Sequence, residues 1–396
     1  MSDVWLDCLG RLPELENLRS IALVFDRHGG NDGSFDYEED LLQTRFSRAA
    51  WREFLFELEG LNLQELAIRH NQDFPSREEL SQRRHTSSTL LSSLEKEEAL
   101  RNRILGGLHS LRLSFVHEQI RGESGSTLKV LHPMNIRTAK LTNSQTNDSH
   151  LCFANLPSTW LQPATQHLKH LTLYSDTPFG FFPKLDLRNI RLSNLRTLAL
   201  GQYIISHDWQ IDWIVSHSTT LHELYLDHCS ILYQIGHADP DWLDEEGYPK
   251  HNNNNSSLYF ERDDDDAYNQ MSFISYPTRW HDIFRRFADS LPHLRAFRFG
   301  SSAQWNFDTE NRFDDAGPGL PVVPWEAETE IKNEIFRERY LHYDDWNEEY
   351  NVKWGEGEWN NIDMEDKRWT TGMEEPPDCD EEDERVLKAL LRSLKT

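Results

Sequence analysis

The sequence lacks paired cysteines, long apolar runs and a secretory leader. Its four cysteines, Cys8, Cys152, Cys229 and Cys379, lie far apart and form no C-x-x-C pair, which favours free thiols in a reducing compartment over a disulfide framework. No run of about 18 apolar residues occurs, so we expect no membrane-spanning helix. The N-terminal stretch has neither the basic nor the apolar region of a signal peptide. These absences predict a soluble protein of the cytoplasm or nucleus.

Basic residues are also scarce. The chain has 41 Lys and Arg against 67 Asp and Glu, a net charge of -26. Because nucleic-acid phosphates and anionic membranes are both bound by clustered Lys and Arg, we expect neither as a partner. Between Glu326 and Glu384 there are 22 acidic and 6 basic residues, a local balance of -16. Such a segment either keeps the chain soluble or docks a basic partner.

Signatures of catalysis and of metal binding are missing too. The chain has no nucleotide-binding glycine loop and no G-x-S-x-G. The "RHGGND" at 27–32 reads as a turn after a strand, and "HEQIR" at 117–121 lacks the second His of a zinc helix. His222 and His228 would lie about 20 Å apart along a strand, too far for one ion. The "DDDD" at 263–266 lacks the spacing and the Gly of a calcium loop. We therefore expect no enzyme, no cofactor and no metal site.

What the sequence does contain is one apolar spacing, L-x-x-L-x-L, repeated seven times. In such a segment alternate residues point to the core, as in a strand with one buried face. A strand this short needs neighbours, so the copies are expected to stack in a parallel sheet. The steps of 27 and 26 residues between the fourth, fifth and sixth copies fit one leucine-rich repeat each. The copies are "LRSIAL" at 18, "LQELAI" at 63, "LHSLRL" at 108, "LKHLTL" at 168, "LRTLAL" at 195, "LHELYL" at 221 and "LRAFRF" at 294.

Helical periodicity fills the longer intervals. It predicts a helix over 40–60 and a helix over 278–291 with Thr278 as its N-cap. It also predicts a shorter helix that follows Asp208, with Asp208 as its N-cap. The predicted fold is an irregular, leucine-rich-repeat-like α/β solenoid with a curved parallel sheet and helices on its outer face. We place the solenoid at 1–300, with mobile insertions at about 70–100 and 234–271. Residues 301–396 are predicted to form an acidic, aromatic C-terminal cap or tail that ends in an amphipathic helix, and the stretch near 374–384 is expected to be mobile.

The ninth position of each repeat carries a further expectation. In L-x-x-L-x-L-x-x-N/C this side chain bonds to the backbone at the inner turn, and Asn71 and Cys229 occupy it here. We therefore interpret Cys229 as a structural residue and not as a nucleophile.

The segment "LRTLALGQYIISHDWQIDWIVSHSTTLHELYLDHCSILY", together with "LENLRSIALVFDRHGG", resembles a large family of F-box proteins from filamentous fungi. In that family an N-terminal F-box docks the adaptor of a cullin-RING ubiquitin ligase, and the leucine-rich part presents substrates. Here "LPEL" at 12–15 runs straight into the first repeat strand and leaves no room for the helices of an F-box. The resemblance therefore implies a substrate-recognition region, linked to a cullin-RING ligase if an F-box exists upstream. The resemblance leaves three interpretations open: the chain is a fragment, its gene boundaries are wrongly assigned, or the protein has lost ligase coupling.

The leading hypothesis is a non-enzymatic protein–protein interaction module. The alternatives are a stand-alone repeat scaffold unrelated to ubiquitination and an enzyme whose site assembles from scattered residues. Arg and Tyr between the leucines favour a binding face, since both are enriched at interface hot spots. The row is net basic, which predicts a protein partner with an acidic or phosphorylated segment. The predicted face comprises Arg69, Arg112, Thr172, Tyr174, Tyr225, Asp227 and Arg298.

Overall fold

The computed structural model describes residues 12–15, 17–24, 58, 61–71, 88–115, 152–237, 243–250, 272–301, 331–344, 349–351 and 376–394. The strands in these ranges are β1 (Ser20–Val24), β2 (Glu65–Asn71), β3 (Ser110–Phe115), β4 (His170–Phe179), β5 (Thr197–Ile205), β6 (Glu223–Asp227), β7 (Ser230–His237), β8 (Ser272–Ser275), β9 (Ala296–Gly300), β10 (Tyr340–Asp344) and β11 (Glu349–Asn351). The longer helices are α1 (Ser88–Gly106), α2 (Asp208–Val215), α3 (Trp280–Ser290) and α4 (Asp380–Ser393). A further helical segment is π-helical over Pro157–Leu161 and α-helical over Gln162–Ala164. None of the described helices is both long and apolar enough to cross a membrane.

All seven L-x-x-L-x-L segments are strands of one sheet. They pair in the order β1-β2-β3-β4-β5-β6-β9, and every one of these pairs is parallel. The copies are also in register, so that Leu171 faces Leu198 and Leu198 faces Leu224. The prediction of consecutive parallel strands is therefore confirmed, and the chain is a mixed α/β protein with a mostly parallel sheet.

The leucines of these strands form the core. Leu171, Leu198 and Leu224 are fully buried, as are the leucines two positions later in the same strands. Buried side chains of the helices, including Ile104, Trp160 and many in α2 and α3, belong to the same apolar cluster. The helices therefore cover the leucine face of the sheet. This packing explains why such short strands are stable. Each strand extends the buried apolar surface of its neighbour.

A second, smaller sheet begins where β5 and β6 bend. Gln202 and His228 lie just beyond the paired residues Gly201 and Asp227, and both have left-handed backbone angles, φ 64° and φ 51°. Beyond this bend β5 pairs with β7, which also pairs with β10 in parallel and with β8 in antiparallel orientation. The two sheets therefore share β5, and the bend separates them.

Cys229 lies at this bend and behaves as predicted. Its Sγ–H donates to the carbonyl oxygen of Leu200 at 3.3 Å. Burial raises the pKa of the thiol, so the sulfur keeps its proton and remains a donor. The side chain thus bonds to the backbone of the neighbouring strand, whereas the side chain of Asn71 lies outside the described residues.

The helix boundaries differ from two sequence expectations. Helix α2 begins at Asp208 and its N-cap is His207, whose backbone N–H donates to the side chain of Gln210. Helix α3 begins at Trp280 with Arg279 as N-cap, and not Thr278. Both predicted caps are wrong, because a polar side chain in the first turn reaches back to the preceding N–H and takes over the capping role. The predicted helix at 40–60 lies outside the described residues, apart from the buried Leu58.

The insertion was predicted at 234–271, and its predicted first residue is too early in the chain. Residues 234–237 belong to β7 and are buried, because the chain after Cys229 continues as a strand of the second sheet. Residues 243–250 are also folded, with Tyr248 buried against Phe181. The intervening residues 238–242 and the rest, 251–271, lie outside the described residues. In the other predicted insertion, α1 accounts for 88–106 and 72–87 lie outside the description.

The C-terminal segments pack against the last repeat strand. The N–H of Glu334 donates to the carbonyl oxygen of Phe299, and the N–H of Phe299 donates to the side chain of Asn333. This segment covers the outer edge of β9, and α4 packs on α3 through residues of the main core. The expectation that residues near 374–384 are mobile does not hold from residue 380 onward, since α4 begins there and its Asp383 is fully buried.

Replacing Leu198 with Ala should lower the free energy of unfolding by about 2–5 kcal/mol, because it leaves a cavity between β4, β5 and β6. Urea denaturation of the full chain measures this loss. Leu15→Ala is the matched control, since Leu15 is 52% exposed and its loss should cost less than about 0.5 kcal/mol. Equal costs at the two sites would contradict the assignment of Leu198 to the core.

The bend should make stability depend on pH. Burial lowers the pKa of His228 to about 4. As the pH falls, this side chain therefore binds a proton at a higher pH in the unfolded chain than in the folded one. This contribution to stability is complete above about pH 6.5 and is lost as the pH falls towards 4. His228→Asn keeps a side chain that tolerates the left-handed backbone but does not titrate. The loss of unfolding free energy between pH 7 and pH 4.5 should be smaller in this variant by roughly 1–3 kcal/mol; an unchanged loss would show that His228 does not contribute.

Candidate functional site

The residues between the leucines form rows across the parallel sheet. Register places Arg112, Thr172, Ala199, Tyr225 and Arg298 in one row, at the same level on five adjacent strands. A second row, two residues further along the strands, contains Ser114, Tyr174, Gly201, Asp227 and Gly300. Six of the seven predicted face residues therefore belong to these two rows. Arg69 pairs with Val24 on β1, next to a register shift between β2 and β3, and its side chain lies outside the described residues.

Exposure divides the predicted face. Arg298 is exposed, and Arg112 and Tyr225 are half-buried. The expectation of a solvent-facing side chain is wrong for the three others: Thr172 is 3% exposed, Tyr174 2% and Asp227 0%. Burial increases towards the carboxyl ends of the strands, where the sheet bends. The accessible part of the face is therefore its amino-terminal half.

Tyr174 is buried because it lies flat on the sheet. A Cβ atom at Gly201 would lie 2.4 Å from the Tyr174 ring, so only glycine leaves room for the ring in this position. Tyr174 and Ala199 form a small apolar cluster of their own, and Tyr225 packs against it. Small residues on β5 thus allow two tyrosines from neighbouring strands to cover the sheet.

A third row adds acidic groups that the sequence reasoning omitted. Two residues before the first row, register aligns Glu65, Ser110, His170, Thr197 and Glu223. The hydroxyls of Thr197 and Tyr225 donate to Glu223, at 2.9 and 3.5 Å, and Ser20 donates to Glu65 at 3.1 Å. The same period of two that selected the predicted face also selects this row, so the alternation could have found it.

With this row included, the face is not net basic. Glu65, Glu223 and Asp227 match the three arginines in number. The electrostatics at His170 reflect the mixture: burial lowers the pKa of His170 and Arg112 lowers it further, whereas Glu223 and Glu65 oppose the shift. The expectation of a basic row is therefore corrected to a face that carries both signs.

A cavity of about 250 Å³ lies between residues 191–193 and 216–220. His217 lines it, but both nitrogens of the ring are engaged. The N–H of Leu192 donates to Nε2 at 3.3 Å, so Nδ1 carries the proton and donates to the carbonyl oxygen of Trp213 at 2.9 Å. Burial lowers the pKa of His217, which keeps this neutral tautomer. The imidazole therefore joins the C-terminal end of α2 to the loop that precedes β5, and it does not act as a general base here.

A second polar cluster joins α3, β10 and α4. The carboxylate of Asp383 accepts hydrogen bonds from the backbone N–H and from Nδ1 of His281 at its Oδ1, and from Arg339 Nε and the Tyr340 hydroxyl at its Oδ2. The Cys379 sulfur lies 3.5 Å from Oδ2. The ligand atoms of His281, Cys379 and Asp383 all lie within 4.8 Å of one another. These residue types are the usual ligands of zinc.

The chain matches no protein-family model, and comparisons with curated proteins and with solved structures found no match either.

Gly201→Ala should destabilise the protein by roughly 1–3 kcal/mol. The added methyl group would overlap with Cγ, Cδ1 and Cε1 of the Tyr174 ring, so the ring would have to move. In the Tyr174→Ala background the same change should cost much less. A double-mutant cycle measured by urea denaturation gives the coupling. If Gly201→Ala costs the same with and without the ring, the close approach described above is not what requires glycine.

Proposed function

We propose that this chain is a non-enzymatic protein–protein interaction module, a leucine-rich-repeat-like solenoid that binds its partner on the polar face of the parallel sheet. The observation that carries the proposal is the register of the seven strands. It places the residues between the leucines in rows across the sheet, in which most strands contribute a polar side chain, while the leucines of the same strands are buried. A surface of this kind can contact an extended partner segment across several strands.

The amino-terminal half of the face is the proposed contact region. Arg298 is exposed there, Arg112 and Tyr225 are half-buried, and Glu223 accepts a hydrogen bond from Tyr225. Arginine and tyrosine contribute large contact areas and hydrogen bonds at interfaces. Arg112 and Arg298 lie on β3 and β9, four strand spacings apart in the sheet, which is a distance of about 19 Å. Because the face carries both signs of charge, we propose a protein partner with an extended segment, whose separate acidic or phosphorylated groups bind the two arginines and whose donors reach Glu223.

The resemblance to fungal F-box proteins suggests the biological context. In this proposal the chain recognises substrates for a cullin-RING ubiquitin ligase, in the cytoplasm or nucleus, and an F-box upstream would supply the adaptor contact. A stand-alone scaffold would use the same face without ligase components. Affinity purification with and without proteasome inhibition separates the two, since a substrate of the ligase accumulates on inhibition whereas a scaffold partner does not.

The double variant Arg112→Glu with Arg298→Glu should lose capture of the main partner, because two cations at the proposed contact become acidic. The melting temperature should change little, since Arg298 is exposed and Arg112 is half-buried. Capture from cell extract, quantified by mass spectrometry, measures the effect.

Arg295→Glu with Arg392→Glu is the matched control. It makes the same change of charge at two exposed arginines, one before β9 and one in α4, which are not on the proposed face. This control should capture the partner normally. Equal loss in both double variants would mean that net charge, and not the polar face, governs binding.

A further inference from the structure

We propose that His281, Cys379 and Asp383 form a zinc-binding site that joins α3 to α4. The three residues come from two places in the chain. His281 lies in the first turn of α3, Cys379 is the N-cap of α4, and Asp383 follows Cys379 by four residues. A separation of four residues places two side chains on the same side of a helix, so α4 presents its two ligands together to the start of α3.

The distances suit one small ion. His281 Nδ1 lies 2.8 Å from Asp383 Oδ1, and Cys379 Sγ lies 3.5 Å from the other oxygen of that carboxylate, Oδ2. One ligand atom from each of the three residues lies within 4.8 Å of the other two. Bonds of about 2.0–2.3 Å in a tetrahedral zinc site place ligand atoms about 3.3–3.7 Å apart. Modest movements of the side chains would therefore bring all three atoms to bonding distance.

The surrounding groups provide an outer shell for the ligands. Arg339 and Tyr340 donate to Oδ2 of Asp383, at 3.0 and 2.9 Å. Oδ1 accepts from the backbone N–H and from Nδ1 of His281, so one of its two lone pairs becomes free for the metal when the imidazole proton leaves Nδ1. Nε2 of His281 lies 3.7 Å from a carboxylate oxygen of Asp282. A metal-bound histidine commonly donates its other N–H to such a carboxylate. On binding, the imidazole proton would therefore move from Nδ1 to Nε2, facing Asp282.

The charge near the site also permits a dication. Arg339 is the nearest cation, and it is paired with Asp380 as well as with Asp383. Arg285, which comes from α3, is paired with Asp282 and Glu382. Zinc would displace the proton of the Cys379 thiol into water, which adds one negative charge at the metal. Glu382 is also paired with Arg385. Four carboxylates and the thiolate therefore face three arginines.

The site is accessible to an ion and to a fourth ligand. Cys379 is half-buried, and the side chain of His281 is 16% exposed. Three protein ligands leave one tetrahedral position for water. Such a site differs from the polar face of the sheet in location and chemistry, and it does not depend on the proposed partner-binding function.

Cobalt(II) is the probe, because a thiolate ligand gives it an intense ligand-to-metal charge-transfer absorption that oxygen and nitrogen ligands do not give. The full chain, reduced and treated with a chelator, should bind about one Co²⁺ with this absorption, and added Zn²⁺ should remove it. Cys379→Ser should abolish the thiolate absorption, and His281→Gln should weaken binding at least about tenfold. Cys8→Ser and His293→Gln are the matched controls and should behave as wild type.

Two results would overturn the proposal: no thiolate absorption in the wild type, or an absorption that survives in Cys379→Ser. Cobalt binding without that absorption would be adventitious binding by other histidines, of which the chain has 18 in total, and it also counts against the site. Circular dichroism of each variant checks folding. If Cys379→Ser does not fold, normal cobalt affinity in a folded His281→Gln rejects the site, and loss of affinity supports it.

Discussion

The pair of core-facing apolar residues in each repeat strand is the constraint on which the rest of the structure depends. Because side chains alternate along a strand, a shift of one residue would turn the leucines towards solvent and the polar rows into the core. Leu198 and Leu200 therefore fix the register of β5 against both neighbours. The same register aligns the polar rows on the other face, so the core and the candidate binding surface are determined by one pattern.

The sequence predicted this sheet well because its signal is local and repeated. The second sheet was not predictable in the same way. β7 pairs with β10, and the hydroxyl of Ser230 donates to a carbonyl 108 residues away, at Glu338. A contact between residues so far apart in the chain cannot be predicted from a local spacing of apolar residues. At the bend that starts the second sheet, the backbone is left-handed at Gln202 and His228. Unlike glycine, these residue types usually have negative φ, so their presence did not indicate a bend.

Of the candidate face, the alternation predicted which residues share a side but not which are accessible. Accessibility depends on the neighbours of each residue. Tyr174 could be assigned to the polar face from its position, yet Gly201 on the next strand lets its ring lie against the sheet. Asp227 could be assigned in the same way, but it lies where β6 bends and is fully buried. These outcomes follow from pairs of residues on different strands, which no single repeat contains.

The C-terminal acidic segment shows how composition and structure diverge. Its charge density favoured a solvated tail, since like charges repel and carboxylates seek water. Asp383 is nevertheless fully buried, because Arg339, Tyr340 and His281 together satisfy both of its oxygens. Its acidic neighbours in the first turn of α4 lie at the end of the helix where negative charge is favourable. One buried carboxylate thus connects α4 to α3 and β10, while the segment around Asn333 covers the free edge of β9. A parallel sheet that ends in an uncovered strand offers its backbone groups to other chains. The acidic segment therefore contributes to the end of the fold, and its charge is compatible with this role because Asp383, its buried carboxylate, has a complete set of donors.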